Sequence, residues 1–245
     1  MKKITVLLAL GAAVALMPSV SKATIVGSVH DFYANTNLWT AYGTTPYKMP
    51  SSGTNASVCR ECHQIHHTPD PTKGPLWIHS SSAYASSGYT TYDKAGSESY
   101  DMMGLDAPSL GSSSIACLSC HDGTVGINQT TALNMDGTLG TQTTTSGTNG
   151  AMRLLDLPGV DKRVIAVNGN DLTHTHPIGI NYVNAVAKVN AIYPGELIAP
   201  TTGVWPWTRL KGTGHTQLEC STCHDIHNTQ TIPSGTYRCT QCHNK

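Results

Sequence analysis

Residues 117–126 read CLSCHDGTVG, and the meaning of the first five letters decides what kind of fold this chain can have. Two cysteines stand three positions apart, and a histidine directly follows the second. The arrangement recurs at Cys59-Arg-Glu-Cys62-His63, Cys220-Ser-Thr-Cys223-His224 and Cys239-Thr-Gln-Cys242-His243. All eight cysteines of the 245 residues fall in these four clusters, with none left over.

Three chemistries use cysteines at such spacing. Disulfides would explain an even number in an exported chain, but not a histidine after every pair when the chain holds only twelve histidines. Zinc has local support, because Cys220/Cys223 and Cys239/Cys242 stand as C-x2-C-x15-C-x2-C, a ribbon-like spacing. A four-thiolate zinc site, however, gives the following histidines nothing to do. C-x-x-C-H is also the attachment signature of c-type haem, and this reading uses every residue. Two thiols add to the two vinyl groups of one porphyrin, and the histidine reaches the iron as proximal ligand. The motifs therefore predict four covalently bound haem c groups. Cys59, Cys62, Cys117, Cys120, Cys220, Cys223, Cys239 and Cys242 would supply the thioethers, and His63, His121, His224 and His243 the proximal ligands.

The other axial position follows from counting. Eight further histidines remain for four irons: His30, His66, His67, His79, His174, His176, His215 and His227. This surplus favours bis-histidine coordination over methionine, which gives low-potential haems. In CHQIH and CHDIH a second histidine stands three residues after the proximal one. On a helical turn such neighbours project from the same side, whereas the two ligands of one iron approach from opposite faces. His66 and His227 are therefore expected to serve neighbouring haems, which would hold porphyrins close together; His67 is expected to be exposed. In THTHPIG, Pro177 restricts His176 to extended backbone, so His176 is preferred to His174. His30 is the fourth distal candidate, with His215 and His79 in reserve.

The totals agree with a haem-filled interior. One phenylalanine, twenty-three glycines and thirteen prolines leave little with which to build an apolar core. The expected fold is mostly irregular coil with few short helices and minimal strand, cored by haem. The opening MKKITVLLALGAAVALMPSVSKA has lysines, a short apolar stretch and small residues before Thr24, as a cleaved secretory signal does. Residues 1–23 are read as that signal and 24–245 as a single tetrahaem domain. The apolar stretch is shorter than the ~20 residues a spanning helix needs, so no transmembrane segment is expected. Without Lys2, Lys3 and Lys22, twelve basic residues face fifteen acidic ones, which does not suggest a nucleic-acid partner.

Between the early and late motifs, residues 128–150 are low in complexity and rich in turn formers, and are expected to form a surface excursion. A short strand is expected at 163–167, before Asn-Gly, and a short helix at 181–193, ended by Pro194. Trp77 and the WPWTRL aromatics are expected to pack on porphyrin faces. No nucleotide loop, catalytic triad or carboxylate pair stands out, so the chain is expected to be an electron carrier and not an enzyme.

In order, VHDF, CHQIH, PLWIH, CLSCHDGTVG, DLTHTHPIG, CSTCHDIH and CTQCH resemble the secreted multihaem c-type cytochromes of metal-reducing bacteria, above all the tetrahaem members that form filaments, or nanowires. The resemblance excludes 128–150 and 181–216. It implies an exported protein at the outer cell surface or beyond it. There it would polymerise head to tail with copies of itself, take electrons from other redox proteins and pass them to extracellular acceptors such as metal oxides or electrodes. In such filaments a histidine of one subunit completes a haem of the next, a role the resemblance assigns to His30. The alternatives are a monomeric periplasmic electron shuttle and, in a different class, a haem reductase of a small oxyanion, which needs an open iron position.

Overall fold

Among the described residues regular structure is short, and three of its helical turns carry cysteine motifs. The structure is a computed structural model describing residues 25, 30, 62–63, 77–80, 82, 84, 88–92, 109–125, 129–133, 139–143, 164–166, 169–204, 206–227 and 239–244. The expected signal segment and Cys59, His66 and His67 lie outside the described residues.

Helix α1 (Ser112–His121) carries the second motif at its C-terminal end. Gly123 closes it: in the left-handed conformation (φ 77) its N–H donates to Cys120 O at 3.1 Å. A glycine adopts that backbone without a Cβ penalty, which explains the Gly in CLSCHDG. A two-stranded antiparallel ribbon follows, β1 (Gln129–Leu133) with β2 (Leu139–Thr143). Then come β3 (Ile180–Asn181), α2 (Tyr182–Ile192), a 3-10 turn at Trp207–Arg209, β4 (Gln217–Leu218), the single-turn α3 (Cys220–Cys223) and a 3-10 turn at Cys239–Gln241. β3 pairs antiparallel with β4. Among the described residues no helix is long and apolar enough to cross a membrane.

Helix α2 falls where 181–193 was expected. Asn181 caps it, its side chain accepting from Asn184 N–H at 3.1 Å, and Pro194 follows two residues after its end. The ribbon lies within 128–150, the expected surface excursion, and gives regular pairing to a stretch read as turn-rich. Threonine-rich runs read as low in complexity, yet β-branched residues suit a pleated backbone. The expected strand at 163–167 is corrected for its described part, since 164–166 carry no strand. Ile165 N–H donates instead to His121 O at 2.9 Å, and Ala166 is buried against Leu118 and Leu172. An apolar run without a partner strand became backing for the second motif.

Among the described residues the apolar interior gathers in two small clusters. One gathers Ile180, Tyr182, Ala185, Val186, Leu210 and Leu218, with the partly buried Cys242 packed against it. The other gathers Tyr89, Leu118, Ala166 and Leu172. Each cluster therefore rests against a cysteine motif.

Candidate functional site

The spacing of C-x-x-C-H becomes geometry once it is wound into one turn. In α1 and α3, positions three apart lie on one helix face, so Cys117 and Cys120, and Cys220 and Cys223, present both sulfurs to one side. His121 ends the first turn. His224 caps the second in extended backbone, its N–H donating to Cys220 O at 3.0 Å. The fourth motif is wound more tightly: His243 N–H reaches Cys239 O at 2.7 Å.

Each motif is clamped by a segment distant in sequence. Ile78 N–H donates to Cys62 O at 3.0 Å and His63 bridges to Trp77, fixing the first. At the fourth, Ile198 N–H donates to Cys242 O at 2.8 Å and Asn244 N–H to Glu196 O at 3.0 Å. The Tyr182 hydroxyl adds hydrogen bonds to Ile198 O (2.9 Å) and Cys242 O (3.3 Å). In HPIG, Gly179 donates to Leu218 O at 2.7 Å and accepts from Ser109 N–H at 2.8 Å. A Cβ there would lie 3.0 Å from the Ser109 carbonyl, so only glycine fits.

Two buried carboxylates complete the framework. Asp122, fully buried, accepts from the Ser82 hydroxyl, from Tyr89 OH at 2.9 Å and from both N–H and hydroxyl of Thr124 at 2.8 Å. Glu219, 2% exposed, accepts from Gly111 N–H at 2.8 Å and from the Ser114 hydroxyl, which in turn accepts from Cys220 N–H at 3.1 Å. Its own N–H is capped by Thr222 Oγ1 at 2.9 Å. Burial raises the Glu219 carboxyl above its ordinary pKa, and the Ser114 and Gly111 hydrogen bonds work against that rise. Glu219 thus ties α1 to α3, the second motif to the third. Across this junction the Cys117 and Cys220 thiols are hydrogen-bonded, and that bond, together with burial, holds Cys117 well above the usual thiol range. Cys62 lies near enough to Cys117, and Cys223 to Cys242, to act on them electrostatically.

Among the described residues, no three His, Cys, Asp or Glu side chains converge to form a metal cage. Histidines meet in pairs instead. The His30 and His121 rings lie 6.1 Å apart between centroids, His63 and His227 6.0 Å, and His176 and His243 6.4 Å. Every pair joins one motif histidine to one of the histidines selected above as distal ligands. His227 stands three residues after His224 yet lies against His63, a different motif. His30 is pushed down to about 4 by burial and by His121 and His224, so it is neutral at ordinary pH, as a metal-ligating imidazole must be.

The other described histidines outside the motifs have different partners. His174 faces Asp171 at 3.8 Å on the surface. His215, at φ 54, stacks on Trp207 with centroids 3.9 Å apart. The buried His79 meets Ser80 O through Nδ1 at 3.0 Å and Cys120 Sγ through Nε2 at 3.3 Å. His66, expected as a distal ligand, lies outside the described residues. Sequence reasoning did not single out Asp122, Glu219 or Tyr182. An acid beside a C-x-x-C-H motif was the available signal for the first two, and Tyr182 left none. Comparison of the chain with family models, with curated proteins and with solved structures gives no match.

Proposed function

We propose that this chain is a tetrahaem c-type cytochrome that carries electrons through closely spaced bis-histidine haems. The observation that carries the reading is the set of three histidine pairs at 6.0–6.4 Å. Two imidazoles on opposite sides of one metal, each with a metal–nitrogen bond of about 2.0 Å, have ring centroids roughly 6 Å apart. Ordinary edge-to-face contacts cover the same range, so distance alone does not discriminate. The membership of the pairs does: each unites a C-x-x-C-H histidine with a distal candidate chosen on independent grounds.

Cys59 to Cys242 would hold the porphyrin edges, and His63, His121 and His243 would be opposed by His227, His30 and His176. His66 is left for His224. That assignment makes the first and third motifs reciprocal, CHDIH supplying His227 to the first site and CHQIH supplying His66 to the third. When bound, haem supplies an iron that gains and loses one electron; the chain sets spacing, ligation and exposure. With two histidines holding each iron there would be no place for a substrate, which favours a carrier over a reductase.

The fuller reading is an exported protein, polymerised head to tail outside the cell, that receives electrons from redox proteins and delivers them to extracellular acceptors such as metal oxides. Open filaments arise from contacts of this kind when the rotation does not close. A second reading, the monomeric periplasmic shuttle, is favoured by one observation: His30 lies against His121 of its own chain, so this ligation does not require a second copy. Intact mass, visible spectroscopy and electron microscopy of the exported protein test both. Four added haems in low-spin form support the cytochrome, and unbranched fibres support the filament. A mass without four haems overturns the first, and particles that stay monomeric at high concentration overturn the second.

A further inference from the structure

At the fourth motif each histidine of the pair turns its Nδ1 to an acceptor, and the two acceptors differ. His176 Nδ1 lies 3.0 Å from Pro177 O. A carbonyl oxygen only accepts, so this nitrogen carries the proton and the neutral ring keeps Nε2 as its ligating atom. Across the pair, His243 Nδ1 faces Glu196 Oε1 at 4.0 Å. That is ion-pair range, longer than a hydrogen bond, yet a carboxylate also only accepts and favours the proton on Nδ1. The rings lie 6.4 Å apart, one backed by a neutral carbonyl and the other by a charge.

The backbone holds that charge in place. Glu196 N–H donates to Tyr193 O at 3.1 Å, and Glu196 O accepts from Asn244 N–H at 3.0 Å. The next residue, Leu197, bridges to His243 and is gripped at both peptide groups by Asn190, whose Oδ1 accepts from Leu197 N–H at 2.8 Å and whose Nδ2 donates to Leu197 O at 2.7 Å. Resting on the haem reading above, we infer that Glu196 is a positioning residue of the fourth site: its carboxylate orients His243 through Nδ1 and lowers the reduction potential of that one haem. A carboxylate behind a ligating imidazole raises the basicity of the ligand, and a negative charge beside an iron centre favours the ferric over the ferrous form. A glutamate that merely covered the surface would act on no haem in particular.

Glu196→Gln keeps the shape of the side chain and removes its charge, and Glu196→Lys reverses the charge. Each variant, exported with its haems, is compared with wild type by intact mass, by potentiometric titration of the haem absorbance and by electron paramagnetic resonance of the ferric form. The expected result is four haems and one titration component moved to higher potential in Glu196→Gln, the same component moving further in Glu196→Lys. One low-spin signal should change with it, and three should match wild type. A merely structural role would not grade one potential by charge. Potentials matching wild type in both variants, or a shift that does not follow the charge, overturn the inference. Loss of a haem in both variants also overturns it, in favour of a structural role; where one variant loses a haem, the other decides. A wild type without haem overturns the proposed function itself, a separate outcome visible in the mass.

Discussion

Glu219 offers the sharpest test of how the motifs are held together. Its carboxylate is 2% exposed and is the acceptor for Gly111 N–H at 2.8 Å and for the Ser114 hydroxyl, groups more than a hundred residues earlier. In Glu219→Ala both donors lose their acceptor in a largely buried place, at about 1–3 kcal/mol each. The expected loss is therefore about 2–6 kcal/mol, a large part of the ~5–15 kcal/mol of a typical domain. Glu219→Gln keeps an oxygen for Gly111 and offers an amide to Ser114 Oγ, so it should cost no more than about 1 kcal/mol. The same pair of variants tests the ionisation. Because burial raises the folded-state pKa of Glu219 above its ordinary 4.5, the folded protein binds this proton more tightly than the unfolded chain. The resulting stability is fully present below the ordinary value and is lost as pH rises through the raised one. Glu219→Gln lacks this component, so between about pH 4 and pH 7 its stability should fall less than that of wild type. Urea unfolding of the exported protein, followed by circular dichroism at both pH values, measures each quantity. A Glu219→Ala protein within about 0.5 kcal/mol of wild type, or a Glu219→Gln protein with the wild-type pH slope, refutes the reasoning.

On the proposed haem reading, removing His227 should open the iron that His63 would hold, since their rings lie 6.0 Å apart; His227→Ala is then expected to turn one haem in four high-spin, read by electron paramagnetic resonance, while intact mass still counts four. For His30→Ala the same change is expected at the His121 site. If the ligand comes from within the chain, wild type stays fully low-spin on dilution to monomers, whereas donation between subunits would produce the high-spin signal on dilution alone. Tyr182→Phe deletes the hydrogen bonds to Ile198 O and Cys242 O and should cost about 1–3 kcal/mol, with amide exchange faster around 196–198 and 242–244. Burial and Cys242 push the Tyr182 hydroxyl far above its usual pKa, so it remains a donor throughout and the loss should not vary between neutral and mildly alkaline pH.

The winding of the cysteine motifs was legible because it is local. Cysteines three apart fall on one helical turn, and α1 and α3 provide it within four residues. Helix α2 was legible for the same reason, since Asn181 and Pro194 bracket it in the letters themselves. What could not be read is everything that depends on a distant partner. Two-residue strands such as β3 and β4 have no periodicity to detect. The strand expected at 163–167 failed because an apolar run reveals that it will be buried, not against what. Likewise the count of histidines supplied a set of candidates, and Pro177 favoured His176 among them, but neither says that His176 meets His243 and not another motif. The clamps explain why so sparse a fold can still be specific. Each described motif is pinned by backbone hydrogen bonds from residues far away in sequence, Ile78 for the first, Ile165 for the second, Glu196 and Ile198 for the fourth, and for the third by the Glu219–Ser114 link. With two small apolar clusters as the only core found among the described residues, side-chain packing alone would leave the motifs free to shift. Directional hydrogen bonds to the peptide groups at and beside the motifs fix their relative positions instead, and it is those positions that electron transfer between sites would depend on.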